Sequence, residues 1–257
     1  MAGQGAFLVA QVLVAVETLE ELMGNMYDNT KTWSPFVGCR FACTYCVPSF
    51  QRQAKRQRGN CEDCYAFGPH EHPERLPRIP SAEIVFCCAS GDISFATTRY
   101  RIQIAKAIHG HAARRRKRME PPRTYYLQSK RPSALEDMLP YLPPEAVLVT
   151  TLESNRGEGY PLISCAPALW ERFCTFSELK WPRKVVTVEP VLDFDVEVFP
   201  DRLINIKPEY IWLGFNSHPK QVALPEPSEE KIGLLVGRLR SAGIPVRGKD
   251  LRGLVLP

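Results

Sequence analysis

Five runs of apolar, largely β-branched or aromatic residues recur along this chain, and each runs into a knot of polar residues. They are Ile84–Ala89, Thr124–Gln128, Ala146–Leu152, Lys184–Val191 and Tyr210–Phe215. Between them lie stretches with helical spacing of apolar residues. Short strands alternating with helices predict βαβ units and a parallel sheet, because a parallel connection needs a crossover long enough to hold a helix. Trp33–Val37 and Ile244–Val246 are further short strand candidates. The expected fold class is therefore α/β. Roughly six such units make an open, partial (β/α)6 TIM-like barrel, whereas eight close a full one.

The helical stretches carry their own punctuation. Tyr100–Ala113 places Ile102, Ala105 and Ile108 at roughly helical spacing. Ser133–Leu142 opens with a serine followed by Glu136, the pattern of a capping box. Ala168–Leu179 carries Leu169, Phe173 and Phe176. Glu229–Ala242 carries Ile232, Leu235, Val236 and Leu239, followed by Gly243 as a stop signal. Residues 49–78 break this rhythm. They are polar, basic and rich in His and Pro, and are expected to form an insertion after the first strand; Asn216–Pro227 is expected to be an exposed loop. The whole of 1–257 is read as a single domain carrying the 49–78 insertion.

In parallel α/β barrels, chemistry is built at the carboxyl ends of the strands. Here those ends run into Ser90-Gly91-Asp92, Ser129-Lys130-Arg131, Glu153-Ser154-Asn155-Arg156, Glu189-Pro190, Asn216-Ser217-His218 and Arg247-Gly248-Lys249-Asp250. A polar residue after a strand is ordinarily a turn or a helix cap. Several in register would ring one mouth.

Just before this series stand Cys39, Cys43 and Cys46, spaced C-x3-C-x2-C. Iron–sulfur clusters are normally held by four thiolates. Three thiolates leave one iron open to a ligand from outside the protein. The competing reading is structural zinc, with Cys43/Cys46 as one pair and Cys61/Cys64 as the second.

The triplet, with Tyr45 directly before its third cysteine, resembles that of the radical S-adenosylmethionine (SAM) enzymes. The order of further motifs is similar to the phage Gp37/Gp68-like radical SAM family. It comprises Lys31-Thr32-Trp33-Ser34-Pro35 with Gly38-Cys39, then Ser129-Lys130-Arg131-Pro132, Thr151-Leu152-Glu153-Ser154-Asn155 and Val188-Glu189-Pro190. Ser34 stands where that family has asparagine. Cys61-x2-Cys64-Tyr65-Ala66 is itself similar to an element of that family's cluster loop. The resemblance implies a partial (β/α)6 barrel and a [4Fe-4S] cluster on Cys39, Cys43 and Cys46. It also implies reductive cleavage of SAM, with a one-electron donor, and hydrogen-atom abstraction from a substrate. By the same analogy Tyr45, Ser90, Gly91, Asp92, Glu153, Asn155 and Arg156 would lie about SAM. Lys130, Glu189 and Asn216 would face the substrate as catalytic candidates.

A second metal site is expected within the insertion. Cys61, Cys64, His70 and His72 provide zinc-type ligands within one short stretch, although His-x-His is tighter than common zinc spacing. At least one of Cys87 and Cys88 is expected to face the core, and Cys165 and Cys174 to pack as small apolar groups.

The chain has 257 residues, nine cysteines clustered toward its first half, and a net charge of +5. That cysteine usage suits a reducing compartment rather than a disulfide framework. Gln51–Arg58 and Arg114–Arg118 together carry nine positive charges and no acid. Such blocks suit a nucleic-acid partner, and equally a solvated face or a helix end. Phe7–Val16 is apolar but too short to span a bilayer and lacks the basic flank of a signal; it is read as a buried strand or helix. A soluble, cytoplasmic protein without a membrane partner is expected. The runner-up function is a zinc-binding, nucleic-acid-binding module without catalysis.

Overall fold

The computed structural model describes residues 29–46, 55–248 and 251–254. The Phe7–Val16 run, Gln51–Ala54 and the Lys249-Asp250 pair lie outside the described residues. Seven strands form one parallel sheet: β1 (Thr30–Trp33), β4 (Ile84–Cys87), β5 (Thr124–Gln128), β6 (Ala146–Thr151), β7 (Lys184–Val188), β8 (Tyr210–Leu213) and β9 (Val246–Gly248), in that spatial order. A separate antiparallel pair joins β2 (Phe36–Val37) to β3 (His70–Glu71). Spatial order follows sequence order, as simple right-handed crossovers produce. The end strands β1 and β9 do not pair with each other, so the barrel is partial, as the alternation predicts.

The sheet's two faces are filled differently. Every residue of β6 is buried, as befits a parallel strand covered on both sides. One set, including Val85, Leu127, Leu148, Val186 and Ile211, meets the helices. The alternate set, including Phe86, Tyr126, Val149, Val185, Tyr210 and Trp212, forms its own cluster on the inner face. The hydroxyls of Tyr126 on β5 and Tyr210 on β8 are in hydrogen-bonding contact although two strands separate them. Only a curled sheet allows that. Above this floor, Gln128 Nε2 donates to Thr151 Oγ1 (2.9 Å) and Thr187 Oγ1 (3.2 Å), a polar layer across three strands.

Among the described residues the α-helices are α1 (Glu62–Ala66), α2 (Thr98–Lys117), α3 (Ser133–Glu136), α4 (Leu169–Glu178), α5 (Phe199–Ile206) and α6 (Glu229–Ser241). Thr97 caps α2 by accepting from Tyr100 N, and Ser228 caps α6 by accepting from Lys231 N. Glu229 and Glu230 in the first turn of α6, and Arg238 and Arg240 in its last, suit the helix dipole. Gly243, at φ +76°, follows that helix.

Several boundaries differ from the sequence reading. Trp33–Val37 is not one strand: Trp33 ends β1, and Phe36 and Val37 turn away to pair with the insertion. The Ser133–Leu142 helix is a short α3 followed by a separate 3-10 turn, Leu139–Tyr141. Ser133 is its first helical residue, behind Pro132, and no side chain caps that end, so the capping box does not form. The last strand begins at Val246 instead of Ile244. Asn216–Pro227 holds no helix or strand, as expected. Cys87 and Cys88 are buried, whereas Cys165 is exposed and not packed as an apolar group. Its position comes from its backbone, which donates to Phe41 O (2.7 Å).

Candidate active site at the carboxyl ends of the strands

Because all seven strands run the same way, their carboxyl ends share one mouth, and the C-x3-C-x2-C loop is stitched into it. Gly38 N donates to Ser90 O (3.0 Å) and Asp92 N to Gly38 O (3.1 Å), which ties the start of the loop to the end of β4. Thr44 N donates to Ile163 O (2.9 Å), and Cys43 Sγ lies 3.1 Å from Ser164 Oγ. These contacts tie the rest of the loop to the connection after β6. Gly38 has φ +95°, and a Cβ there would lie 2.1 Å from Gly68 O; a Cβ at Gly91 would lie 2.5 Å from Gly38 O. Three backbone segments therefore meet where only glycine fits.

All three thiols are free. Cys39 Sγ accepts from Phe41 N (3.4 Å) and Cys43 Sγ from Lys130 Nζ (3.3 Å). Burial, then the Asp92 charge, pushes Cys39 up to about 12. The hydrogen bond from Cys46, with the Lys130 charge, outweighs burial and lowers Cys43. Cys46, which gives that bond, is raised by it and by burial. A bare thiol trio thus already favours negative charge on its central sulfur.

Lys130 follows β5, and its ammonium reaches three groups: Cys43 Sγ, the Tyr45 hydroxyl and Glu153 Oε1 (2.9 Å). Burial alone would lower its pKa; the Glu153 carboxylate together with the Cys43, Tyr160 and Cys46 side chains more than reverses this and leaves it raised. Glu153 follows β6 and is wholly buried. It accepts from Tyr45 OH (2.5 Å) and Tyr160 OH (3.0 Å), and its Oε2 lies 2.9 Å from Arg172 Nη2. Burial would raise this carboxyl, but the charges of Arg172 and Lys130 override it and hold it at about 2. Arg172, on α4, is also wholly buried; it donates to Thr151 O (2.7 Å) and Tyr160 OH (2.7 Å). Sequence reasoning missed Arg172, Tyr160 and Ser164.

Asp92 sits under the mouth as a clamp. Its Oδ1 accepts from Ser94 N (2.9 Å) and Ser129 Oγ (2.7 Å), and its Oδ2 from Lys130 N (2.8 Å). Ser90 N donates weakly to Ser34 Oγ (3.4 Å), and Gly91 forms a bridge with Gly38. Asn155 and Arg156 turn toward the loop after β7: Asn155 Nδ2 donates to Asp195 Oδ2 (2.8 Å), and Arg156 pairs with Asp193 and Asp195. Glu189 is half-buried directly after β7. Asn216 uses both ends of its amide within its own loop, donating to Val222 O (2.7 Å) and accepting from His218 N (3.0 Å). The structure thus brings Tyr45, Lys130 and Glu153 together with Cys43, while Asn155, Arg156 and Asn216 bind loop residues.

Cys61, Cys64, His70 and His72 converge within the insertion: one ligand atom from each lies within 4.8 Å of every other. Neither Cys43 nor Cys46 belongs to this group; Cys61 and Cys64 are joined by the two histidines. The Arg114–Arg118 block lies at the amino ends of the strands, away from the mouth. Arg115 and Arg118 pair with Glu120, and Arg116 with Glu145. Among the described residues, no helix is long and apolar enough to cross a membrane.

No family model matches the chain, and no curated protein matches it. Solved structures do. A radical SAM methyltransferase from Sphaerobacter thermophilus superposes with a TM-score of 0.54 at 15% identity, over 87% of this chain and 67% of that one. A structure of TYW1 with a lysine-pyruvate adduct gives 0.49 at 14% identity, over 88% and 77% of the two chains. A spore photoproduct lyase mutant with bound AdoMet and a dinucleoside spore photoproduct gives 0.45 at 10% identity, over 81% and 60%. The fold is shared with the methyltransferase: a partial parallel barrel with its loops gathered at one mouth.

Proposed function

We propose that this chain is a radical SAM enzyme. One observation carries the reading: the C-x3-C-x2-C loop is fixed at the carboxyl-end mouth of a partial parallel barrel, with three free thiols and no His or fourth Cys within the loop. That donor set fits a cluster held by three thiolates, with one iron left for an outside ligand. The fold shared with the methyltransferase supports it. The motif order similar to the Gp37/Gp68-like enzymes supports it further.

Cys39, Cys43 and Cys46 would hold a [4Fe-4S] cluster. Bound there, the cluster supplies the electron that splits SAM and starts hydrogen-atom abstraction; the protein supplies position and electrostatics. Lys130 places a cation beside the Cys43 sulfur and favours its thiolate form. Glu153, itself paired with Arg172, holds that lysine from beneath, and Tyr45 packs its ring 4.5 Å from the ammonium. Ser90 and Gly91 border the cluster loop, where the amino group of SAM would lie. Asp92 sets the end of β5 from below, and Lys130 and Glu189 remain the groups nearest the substrate. Asn155 and Arg156 shape the rim through the Asp193–Asp195 loop, and Asn216 shapes its own loop. The substrate class that suits the +5 charge and the basic block soon after the cluster loop is a nucleic acid.

The test is anaerobic purification followed by iron and acid-labile sulfide analysis, then a SAM-cleavage assay under reduction with and without added nucleic acid. About four irons per chain and release of 5′-deoxyadenosine are expected, both lost in Cys39→Ser, Cys43→Ser and Cys46→Ser. Zinc bound at that triplet in place of iron sinks the reading. Release unchanged by nucleic acid removes that substrate class and leaves the enzyme class standing.

A further inference from the structure

The insertion holds a group that the radical chemistry does not use. Cys64 Sγ lies 3.3 Å from His70 Nε2 and 3.2 Å from His72 Nε2; Cys61 Sγ lies 3.5 Å from His70 Nε2, and the two Nε2 atoms are 2.7 Å apart. Tetrahedral zinc with ordinary bond lengths spaces nitrogen from sulfur by about 3.6 Å and nitrogen from nitrogen by about 3.4 Å. The observed contacts come within about 0.7 Å of that geometry. They are too close-set to straddle a multi-iron cluster and suit one ion.

The outer contacts point the same way. His70 Nδ1 donates to Gly68 O (2.7 Å), and His72 Nδ1 to Glu74 Oε1 (2.8 Å). Each bond places the ring proton on Nδ1 and leaves the Nε2 lone pair facing inward, as metal-bound histidines require. Two such lone pairs facing at 2.7 Å repel unless a cation lies between them. Cys64 N donates to Cys61 Sγ (3.2 Å), which suits a thiolate ligand. Two thiolates neutralise a divalent ion. A closed set of two sulfurs and two nitrogens is the donor set of structural zinc.

The same residues grip the segment that launches the cluster loop. β3, which contains His70, pairs with β2: Val37 faces His70 and Phe36 faces Glu71. His72 N donates to Pro35 O (2.6 Å), and Trp33 Nε1 to Arg75 O (2.8 Å). Gly68, whose carbonyl holds the His70 ring, is the backbone packed against Gly38, one residue before Cys39.

We propose that Cys61, Cys64, His70 and His72 bind one structural zinc ion, and that this ion fixes the Gly38-Cys39 start of the cluster loop. The first half stands on its own geometry; the second rests on the radical SAM reading. Zinc loading then precedes, and is required for, full iron loading, while iron is not required for zinc.

The experiment measures zinc and iron together in the full-length chain, purified anaerobically from zinc-supplemented cells and reconstituted with iron and sulfide. Wild type is expected to carry about one zinc per chain. His70→Ala and Cys64→Ser should lose the zinc and bind much less iron; Cys39→Ser should lose iron and keep zinc. His70→Cys preserves four zinc-type donors and should retain both metals, which separates loss of the ion from simple misfolding. Cobalt(II) in place of zinc should give the visible bands of a tetrahedral thiolate site, absent in His70→Ala. Wild type without stoichiometric zinc, or His70→Ala and Cys64→Ser retaining it, overturns the site. Undiminished iron in zinc-free His70→Ala overturns the coupling alone. Zinc present in a wild type that takes up no iron sinks the radical reading while the zinc site stands.

Discussion

The Arg172 guanidinium lies 2.9 Å from Glu153 Oε2, and neither side chain has any solvent exposure. Glu153 carries a second cation, Lys130, on its other oxygen. One carboxylate is therefore shared by two cations, one buried beneath the mouth and one in it. Removing the carboxylate leaves both cations without their counter-charge, at a cost of about 3–5 kcal/mol. Glu153→Gln should therefore lower the unfolding free energy by that amount in denaturant titration. Arg172→Met leaves Glu153 with Lys130 and should cost less, about 1–3 kcal/mol, because the buried Thr151 O and Tyr160 OH lose their donor.

Acid should dissolve this arrangement with a definite sign. The Glu153 carboxyl is held at about 2 against an ordinary value of 4.5. A depressed carboxyl contributes stability that is fully present above its ordinary value and disappears as pH falls through the folded one. The stability gap between wild type and Glu153→Gln is thus expected to be constant above about pH 5 and to shrink steadily toward pH 2. A gap that widens on acidification would contradict the assignment of Arg172 and Lys130 as the groups that hold this carboxylate.

Glycine substitutions should divide sharply by place. Gly38→Ala puts a methyl 2.1 Å from the Gly68 carbonyl oxygen at a φ of +95°. Neither backbone can yield without moving the cysteine loop or the insertion, so zinc and iron content should both fall. Gly237→Ala, in α6, meets nothing within 4 Å. It should leave metal content unchanged and stabilise the helix by up to about 1 kcal/mol, read as a higher denaturation midpoint.

Asp92→Asn removes an acceptor where three donors converge: Ser94 N, Ser129 Oγ and Lys130 N. Whichever way the amide turns, its NH2 faces a donor. A loss of about 1–3 kcal/mol is expected. Because Lys130 leans on that bond, iron content after reconstitution should fall as well. Unchanged stability would show that the clamp is dispensable.

Strands β4 to β8 were legible because each is a compact, largely apolar run that is mostly buried. β1 was not, because Thr30-Lys31-Thr32-Trp33 is a largely exposed edge strand with one buried residue. The apolar Phe36-Val37 drew the expected end of the strand four residues too far along. The capping box at Ser133 failed because Pro132 already occupies the cap position in helical geometry. At the mouth, the residues at strand ends could be named in advance, but their partners could not. Arg172 left one signal: it shares a helix face with Leu169 and Phe176, at spacings of three and four, where an arginine is out of place unless paired within the core. The role of Gly68 left none, since contact between two distant backbones has no pattern in the sequence.

The aromatic floor of Phe86, Tyr126, Tyr210 and Trp212, capped by the Gln128–Thr151–Thr187 layer, means that this barrel has no bore. A molecule arriving from the cysteine side comes to rest at the brim. Girth is then no barrier to admission: a long polymer could be served at one unit without being threaded, as readily as a metabolite.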